Sequence, residues 1–392
     1  MRRRSTPCRD LRRLLWLSLA LIVLGAPHSA RAQDDQLTYA QAGAYAVGVA
    51  TLRIERDPSR PLTGFIWYPA QADSTLEYAD YGYGKRSARA RLGAQPERVG
   101  APYPLIIFSH GYGGYAGQST FLTEHLASHG FAVIAVNHSG SARGDTDPQT
   151  GLTLGWYLRP RDVLSQIAWA EAANADPQSP FYGLLDLARI GVSGHSYGGY
   201  TALAAAGAQL DFRALEAYCA QTARFDFACL ARDAEPILAP ILPQDPESET
   251  LRLPSDPRIA AVLALAPFNA PLMGARGLAH VTAPTLVMVG TADAVTPLER
   301  DAEPIYELIG AADKALVSFE GGDHLLFADC PPLLASLPRC NDSVWEAARA
   351  HALTRHFATA FFAAALRGDG IARSALVAPP KLPSVRYRGT FD

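Results

Sequence analysis

Over most of the chain, short apolar runs alternate with stretches whose apolar residues recur at helical spacing. The strand-like runs are 105–108, 131–136, 190–192, 258–266, 284–289 and 314–319. The helix-like stretches are 120–129, 160–175, 196–206 and 344–366. Residues 159–162, Arg-Pro-Arg-Asp, are interpreted as a charge cluster at a helix start, with Pro160 in the first turn. This alternation predicts an α/β fold with a mostly parallel central sheet and helices on both faces.

Several regions depart from this pattern. Residues 47–54 and 63–68 alternate apolar with polar positions, which predicts an antiparallel hairpin at the sheet edge. Residues 77–100 have no clear period and are expected to form a surface loop. Residues 209–257 interrupt the order of helix and strand and include a Pro- and acid-rich stretch at 235–249. They predict an insertion, either a cap over the functional site or a peripheral decoration.

The N-terminal segment has the pattern of a secretion signal. Its basic residues are Arg2, Arg3, Arg4, Arg9, Arg12 and Arg13. The apolar stretch at 14–25 is shorter than the ~20 residues that span a bilayer, and Ala30-Arg31-Ala32 fits a signal-peptidase site. We expect a signal peptide at 1–32 and a secreted or periplasmic domain at 33–392. An uncleaved N-terminal anchor is the alternative.

The composition excludes other classes of protein. Of the 392 residues, 48% are hydrophobic and 19% are charged, which allows a large core and argues against disorder. The formal net charge is -3, so no overall basic field would attract nucleic acid. No stretch after the N-terminal segment is long and apolar enough for a membrane helix. These features leave the oligomeric state open.

Four cysteines remain after the predicted signal, in a compartment where disulfides form. They are Cys219, Cys229, Cys330 and Cys340. Of the three possible pairings, we favour Cys219–Cys229 and Cys330–Cys340, because each closes a short local loop. Reduced thiols are the alternative. Metal ligation is disfavoured because the usual zinc-site spacings are missing.

Residues Gly194-His195-Ser196-Tyr197-Gly198 form a G-x-S-x-G motif between a predicted strand and a predicted helix of small residues. In such a motif the serine lies on a strained turn that exposes its hydroxyl, and larger side chains at the glycine positions would clash. The flanking strand and helix are the context that the motif requires. We therefore predict Ser196 to be a nucleophile, and a glycine-rich turn with an idle serine is the alternative.

A serine nucleophile needs a base to take its proton and an acid to orient that base. His324 follows the last apolar strand and a short turn. Most other histidines lie in predicted helices, in loops or in the signal, while His195 is the variable position of the serine motif and His110 precedes the glycine-rich loop. Asp293 lies just beyond the carboxyl end of the preceding strand, at the sheet edge where such folds place catalytic groups. The competing acids are Asp301, farther from that strand, and Asp323, adjacent to the base.

Acyl transfer also needs hydrogen-bond donors for the developing oxyanion. The backbone N–H of Tyr197, directly after the nucleophile, is one candidate. The second is expected in the glycine-rich loop 110–114, where we choose the N–H of Tyr112. The alternative is that these glycines serve only a turn.

Weaker signals surround this set of residues. Tyr115 and Trp156, with the rings of Tyr112 and Tyr197, could line an apolar substrate pocket, and ordinary packing is an equal alternative. The acidic motif at 145–147 could chelate calcium, but a solvated loop is favoured.

Three segments together resemble one group of enzymes. They are 109–114 (Ser-His-Gly-Tyr-Gly-Gly), 126–131 (Leu-Ala-Ser-His-Gly-Phe) and 194–199 (Gly-His-Ser-Tyr-Gly-Gly). They resemble the platelet-activating-factor acetylhydrolase family, the bacterial predicted dienelactone hydrolases and, more distantly, the cutinase-like polyesterases, all of the α/β-hydrolase superfamily. True dienelactone hydrolases use a cysteine nucleophile, so Ser196 departs from their pattern.

This resemblance implies that Ser196, Asp293 and His324 act as nucleophile, acid and base, with the backbones of Tyr112 and Tyr197 as oxyanion donors. It also implies hydrolysis of short-acyl esters or acetylated phospholipids, with no metal and no cofactor. We therefore expect a serine carboxylic-ester hydrolase that forms an acyl-enzyme on a small-molecule or lipid ester. An amidase or peptidase and a polyester hydrolase use the same triad and are alternatives. A non-catalytic binding protein is disfavoured because all three residues are present.

Overall fold

The computed structural model describes residues 37–55, 60–247, 249–330, 332–334, 336, 340 and 342–392. Within them, eleven strands form one sheet: β1 Ala46–Ile54, β2 Leu62–Ala70, β3 Tyr78–Asp80, β4 Arg86–Leu92, β5 Tyr103–Ser109, β6 Ala132–Val136, β9 Leu185–His195, β10 Ile259–Leu265, β11 Thr285–Gly290, β12 Lys314–Phe319 and β13 Val385–Gly389. A separate ribbon pairs β7 Ser141–Ala142 with β8 Asp145–Thr146. The order across the main sheet is β13-β12-β11-β10-β9-β5-β6-β2-β1-β4-β3.

The centre of the sheet is parallel. Strands β6, β5, β9, β10, β11 and β12 pair in parallel in that order. At the two ends of this block, β2 joins β6 and β13 joins β12, both antiparallel. Every residue of β5, β6 and β11 is buried, as expected for parallel strands covered on both faces. The predicted α/β fold with a mostly parallel sheet is confirmed.

Helices cover both faces of the sheet. They are α1 Thr120–Ser128, α2 Gly155–Ala175, α3 Tyr197–Ala205, α4 Phe212–Gln221, α5 Glu235–Leu238, α6 Ala270–Leu278, α7 Ala302–Leu308, α8 Ala347–Arg367 and α9 Gly370–Val377. Alternate residues of β5 enter two separate apolar layers, because successive side chains of a strand point to opposite faces. Leu105 and Ile107 join the layer that contains α2 and α3. Ile106 and Phe108 join the layer that contains α1 and α8.

Residues 77–100 contain two strands, so the prediction of a surface loop is wrong there. β3 pairs antiparallel with β4, and β4 pairs in parallel with β1. The hairpin of β1 and β2 is antiparallel as predicted, but β3 and β4, not this hairpin, form the edge of the sheet. In β4 only Ala90 is fully buried. Pairing with β1 and β3 sets its conformation where periodicity gives no signal, and its residues Arg86 and Arg89 are exposed.

Helix α2 begins before Pro160, so the prediction that this proline starts the helix is wrong. A π-helical turn at Thr150–Leu154 leads directly into α2, and Pro160 lies inside it. Proline has no N–H for the carbonyl one turn earlier, which here belongs to Trp156. The hydroxyl of Tyr200 donates to that carbonyl at 2.9 Å instead, so the helix continues through the proline.

The predicted insertion at 209–257 folds as α4 and α5 with a 3-10 helix, Phe227–Ala234, between them. Its contacts reach the loops that follow β10 and β11. Arg300 Nη1 lies 2.7 Å from Asp226 Oδ1, and Asn269 Nδ2 donates to a carbonyl of the 3-10 helix at 3.2 Å. The insertion is therefore tethered to the carboxyl-terminal edge of the sheet. Whether it acts as a cap stays a prediction.

Two features bear on where the chain resides. Cys219 is joined to Cys229 and Cys330 to Cys340, which are the local pairings that the sequence favoured. The predicted signal peptide at 1–32 lies outside the described residues. Across the described ranges, no helix has the length and apolarity that a bilayer crossing requires.

Candidate active site

Ser196 lies at the turn between β9 and α3, with φ = 58° and ψ = -118°. A positive φ is strained for a residue other than glycine, and this turn raises the serine above the carboxyl ends of the strands. A Cβ at Gly194 would overlap the carbonyl of Gly198, and a Cβ at Gly198 would overlap the carbonyl of Ser109. The close approach of these chain segments therefore requires both glycines of the motif.

Backbone hydrogen bonds hold this turn in place. The N–H of Ser196 donates to the carbonyl of Leu265 at 2.8 Å. The carbonyl of Ser196 accepts from the N–H groups of Gly199 at 2.8 Å and Phe268 at 3.2 Å. The end of β10 and the loop after it thus support the strained serine.

His324 and Asp293 form a hydrogen-bonded pair. His324 Nδ1 lies 2.7 Å from Asp293 Oδ2, and the other carboxylate oxygen accepts the N–H groups of Val295 and Thr296, each at 2.8 Å. Burial alone would raise the pKa of Asp293, but the hydrogen bonds from His324 and Thr296 hold that pKa below its ordinary value. A carboxylate only accepts hydrogen bonds, so Nδ1 of His324 carries the hydrogen of this bond, and in the neutral imidazole Nε2 is then the acceptor.

Thr296 is a member of this cluster that the sequence analysis missed. Its Oγ1 donates to Asp293 Oδ2 at 2.7 Å and lies 3.2 Å from both His324 Nδ1 and the carbonyl oxygen of Ala266. Ala266 directly follows Leu265, the last residue of β10. The carbonyl of Leu265 accepts the N–H of Ser196. One hydroxyl therefore links Asp293, His324 and the strained turn at Ser196, which we call the elbow. A threonine three residues after an aspartate carries no distinctive sequence signal.

The loop that carries His324 also touches the elbow directly. The rings of His195 and His324 have centroids 4.7 Å apart, and His195 Nε2 lies 2.8 Å from the carbonyl oxygen of His324. Ser196 directly follows His195 in the chain. The structure thus brings Ser196, Asp293 and His324 to the same edge of the sheet, although the sequence separates them widely.

The two competing carboxylates have other partners. Both oxygens of Asp301 are engaged, one by the N–H of Ala270 and the other by the guanidinium of Arg300, and burial raises the pKa of Asp301 to about 6. Asp323 accepts the backbone N–H of His324 at 2.6 Å and so caps the short 3-10 helix that begins there. Asp293 is the acid in hydrogen-bond contact with the imidazole of His324.

The loop after β5 carries Tyr112, the predicted oxyanion donor. The carbonyl of Gly111 accepts from the N–H of Gly114 at 3.0 Å and from His110 Nδ1 at 2.7 Å. Because C=O and N–H point in opposite directions across a trans peptide, these bonds fix the direction of the Tyr112 N–H. A Cβ at Gly111 would lie 3.3 Å from the Cβ of Ser196, so this loop lies directly against the elbow.

Arg159 is 1% exposed, so its interpretation as part of a charge cluster at a helix start is wrong. Its guanidinium donates to the hydroxyl groups of Thr201, Ser141 and Ser109 and to the carbonyl of His110. Burial lowers the pKa of Arg159 to about 10, which leaves it charged at neutral pH. This cation therefore joins α2, the helix after the elbow and the loop after β5.

The predicted pocket residues lie mostly in the interior. Trp156 is 1% exposed, and its ring packs edge-on against Tyr197 and Tyr200 with centroids 4.6 and 4.7 Å apart. Tyr115 is also buried, whereas Tyr112 is exposed. The ring contacts of Trp156 thus support ordinary packing for this residue. Contact of the predicted pocket side chains with a substrate stays a prediction.

No cluster of three or more His, Cys, Asp or Glu side chains suited to a metal ion occurs among the described residues. In the acidic motif at 145–147, Asp145 accepts the N–H of Gly140, and Asp147 accepts those of Gln149 and Thr150. These carboxylates therefore organise their own loop.

Curated proteins similar to the chain include two kinds of esterase. Platelet-activating factor acetylhydrolase of Canis lupus familiaris is 31% identical over 179 residues, which are 36% of this chain and 40% of that protein. The protein of the same name from Cavia porcellus is 28% identical over 142 residues, 28% of this chain and 33% of that protein. Cutinase est1 of Thermobifida alba is 25% identical over 268 residues, 65% of this chain and 68% of that protein. The chain thus spans less than half the length of these acetylhydrolases.

A sequence model of the alpha/beta hydrolase family matches residues 106–337. The match covers more than half of the chain and runs from β5 past β12, so it includes the serine elbow, Asp293 and His324. The order and parallel pairing of the central strands agree with it. The chain belongs to the alpha/beta hydrolase family.

Proposed function

We propose that the protein is a secreted serine carboxylic-ester hydrolase with Ser196 as nucleophile, His324 as base and Asp293 as acid. The observation that carries this proposal is the 2.7 Å pair of His324 and Asp293, held against a strained serine turn. Strain of this kind persists where the surrounding structure enforces it, and it is concentrated at functional sites. The similarity to proteins named acetylhydrolase and cutinase supports an ester substrate.

In this mechanism the hydroxyl of Ser196 attacks the ester carbonyl while Nε2 of His324 takes its proton. The tetrahedral intermediate collapses, the bond to the alcohol breaks, and His324 returns the proton to the leaving oxygen. Water then attacks the acyl-enzyme, with His324 again as base, and releases the acid. The ionised Asp293 holds the imidazole in the required tautomer and stabilises the imidazolium that forms.

The oxyanion would be stabilised by the backbone N–H groups of Tyr112 and Tyr197. Tyr197 begins α3, where unpaired N–H groups and the helix dipole favour negative charge. The direction of the Tyr112 peptide is fixed by the two hydrogen bonds to the carbonyl of Gly111. Fixed donors of this kind need no reorganisation during the reaction, and each is worth about 3 kcal/mol of barrier.

The proposed substrates are short-acyl esters or acetylated phospholipids. This choice rests on the relatives' names and on the three motifs shared with the acetylhydrolase family, and polyesters are the second candidate because of the longer match to a cutinase. The N-terminal pattern and the two disulfides support export. N-terminal sequencing of exported protein should start near Gln33, and a chain that retains Met1 would contradict cleavage.

The test of the proposed nucleophile is the variant Ser196→Ala. Turnover of p-nitrophenyl acetate should fall on the order of 10⁶-fold, and labelling by a fluorophosphonate probe should vanish. Ser193→Ala is the matched control, because the hydroxyl of Ser193 is buried and finds no hydrogen-bond partner in the described part of the chain. The control should keep wild-type activity. Undiminished turnover by Ser196→Ala would refute the assignment.

A comparison of ester and amide substrates separates the proposal from an amidase or peptidase. The acyl group is kept constant by using p-nitrophenyl acetate and p-nitroacetanilide. The ester should have the much higher kcat/KM, and a preference for the anilide would favour the amidase alternative. A series of p-nitrophenyl esters of increasing acyl length then measures the size of the acyl pocket.

A further inference from the structure

Two buried side chains join the loop after β5 to the loop that carries His324. The N–H of Gly111 donates to Gln118 Oε1 at 3.0 Å, and Gln118 Nε2 lies 3.0 Å from His195 Nδ1. His195 Nε2 lies 2.8 Å from the carbonyl oxygen of His324. Gln118 is 7% exposed and His195 is 2% exposed. A continuous line of hydrogen bonds thus runs beneath the elbow, from the loop of Tyr112 to the base.

One arrangement of protons satisfies every bond of this line. The carbonyl of His324 only accepts, so Nε2 of His195 carries the hydrogen and Nδ1 is an acceptor. The amide nitrogen of Gln118 must then face Nδ1, which turns Oε1 toward the N–H of Gly111. Burial, aided by the neighbouring His324, lowers the pKa of His195 to about 3, so its imidazole is neutral near pH 7.

The surrounding chain is shaped around this glutamine. A Cβ at Gly114 would overlap Gln118 Oε1, so the glycine makes room for the amide. The carbonyl of Gln118 accepts the N–H of Asp329 at 2.8 Å, and Ser119 Oγ donates to the carbonyl of Phe327 at 2.9 Å. The start of α1 therefore holds the segment after β12 through its main chain and through neighbouring side chains.

We propose that Gln118 and His195 are positioning residues. They fix the loop after β5, which carries Tyr112, relative to His324 on the other side of the nucleophile. The inference rests on the proposed function, because its effect is exerted through the Tyr112 N–H and the base. A displacement of catalytic groups by about 1 Å costs on the order of 10²-fold in rate. The loss falls on kcat rather than on KM, because these groups bind the transition state more strongly than the substrate.

The first test removes the amide with Gln118→Leu. The kcat for p-nitrophenyl acetate should fall roughly 10- to 100-fold while KM stays within about 2-fold. The affinity for a trifluoromethyl ketone, which forms a tetrahedral adduct with Ser196, should fall in parallel. The matched control is Gln209→Leu, because Gln209 is also 7% exposed and its Oε1 accepts from Thr250 in the insertion. The control should lose stability but keep kcat.

The second test compares two replacements of His195. A glutamine in His195→Gln still has a donor for the carbonyl of His324 and an acceptor for Gln118, whereas His195→Leu has neither. His195→Gln should therefore retain several-fold more kcat than His195→Leu. All rates are expressed per active site titrated with a fluorophosphonate, so that misfolded protein is not counted.

Two results would overturn the inference. In the first, Gln118→Leu lowers only the melting temperature and leaves kcat within about 2-fold. In the second, His195→Gln is no better than His195→Leu. An inactive, unlabelled wild-type enzyme is a separate outcome, because it would refute the proposed function itself. An active wild type with unaffected variants would refute the positioning role alone.

Discussion

The described residues include two sets of serine, histidine and aspartate, one at the elbow and one in the interior. The elbow set is Ser196, His324 and Asp293, and the buried set is Ser109, His138 and Asp162. In the buried set, the serine Oγ lies 2.9 Å from His138 Nε2, and His138 Nδ1 lies 2.8 Å from the aspartate Oδ2. The histidine–aspartate distance in the elbow set is 2.7 Å. Residue types and histidine–aspartate distances are therefore nearly the same in the two sets.

The two sets differ in access and in backbone conformation. The serine, histidine and aspartate are 9%, 9% and 4% exposed in the elbow set, but 1%, 0% and 2% in the buried set. Ser196 lies on a strained turn against the loop that carries Tyr112, whereas Ser109 ends the regular strand β5. Arg159 also donates to Ser109 Oγ at 3.0 Å, and a hydrogen bond from a cation lowers the nucleophilicity of that oxygen. A triad-like row of hydrogen bonds is therefore not sufficient for a reactive site.

The buried set supports the site from below. His138 belongs to the segment after β6, Asp162 to α2 and Ser109 to the end of β5. Together with Arg159 they hold these three elements under the loop that carries Tyr112. We therefore expect substitutions in the buried set to affect stability first, and those in the elbow set to affect the chemical step.

The largest expected difference is between Asp293→Asn and Asp162→Asn. Asp293→Asn should lower kcat for p-nitrophenyl acetate by about 10⁴-fold, because the imidazole loses its orienting carboxylate. Asp162→Asn should instead lower the free energy of unfolding in urea by about 3 kcal/mol, because the buried Arg159 loses a nearby negative charge. A 10⁴-fold loss of kcat in folded Asp162→Asn would contradict the distinction between a structural buried set and a catalytic elbow set.

Replacing a buried threonine by valine in each region tests the comparison of the two sets more finely. Thr296→Val removes the hydrogen bond to ionised Asp293, worth about 1.5 to 3 kcal/mol, so kcat/KM should fall roughly 10- to 100-fold. Thr201→Val removes a hydroxyl that accepts from Arg159 and should lower stability by about 1 to 3 kcal/mol with kcat preserved. Steady-state kinetics and urea unfolding of both variants measure the two effects. Equal kinetic losses would show that the two regions do not act separately.

Removal of the buried hydroxyl by Ser109→Ala should have a smaller effect. The variant leaves an acceptor on His138 and a donor on Arg159 without their partner, at a cost of about 1 to 3 kcal/mol in the free energy of unfolding. Fluorophosphonate labelling should continue at Ser196, as located by mass spectrometry of the labelled peptide. A label on Ser109 in the wild type would mean that the interior set is accessible.

Acid should destabilise the fold gradually. Burial lowers the pKa values of His125 and His195 to about 3 and of His351 and His356 to about 4, from an ordinary 6.5. Below pH 6.5 the unfolded chain binds protons that the folded chain does not, so stability present above that pH is lost as the pH falls toward 4. Each histidine contributes at most about 1.4 kcal/mol per pH unit. Urea midpoints that stay constant from pH 7 to pH 4 would contradict this.

Local sequence was sufficient for the features that depend on neighbouring residues. The elbow around Ser196 could be predicted because strain and close approach demand glycines at fixed positions. The two disulfides could be favoured because each closes a short loop. The strands of the parallel core could be placed because burial on both faces requires continuous apolar runs. Periodicity failed in β4, where pairing with β1 sets the conformation, and at Pro160, where a distant tyrosine hydroxyl satisfies the carbonyl left unpaired in the helix.

The sequence by itself determined which candidate catalytic residues and motifs this protein has, since a G-x-S-x-G motif, a histidine and an acid can be recognised by order and local context. Order and context had already selected Ser196, Asp293 and His324, but only the tertiary structure brought them to one edge of the sheet and revealed the buried set. It also placed Thr296, Gln118 and His195 in hydrogen-bond contact with the segments that carry these residues. The physical reason is that hydrogen bonds and burial depend on distances between segments far apart in the chain, and no local pattern encodes those distances.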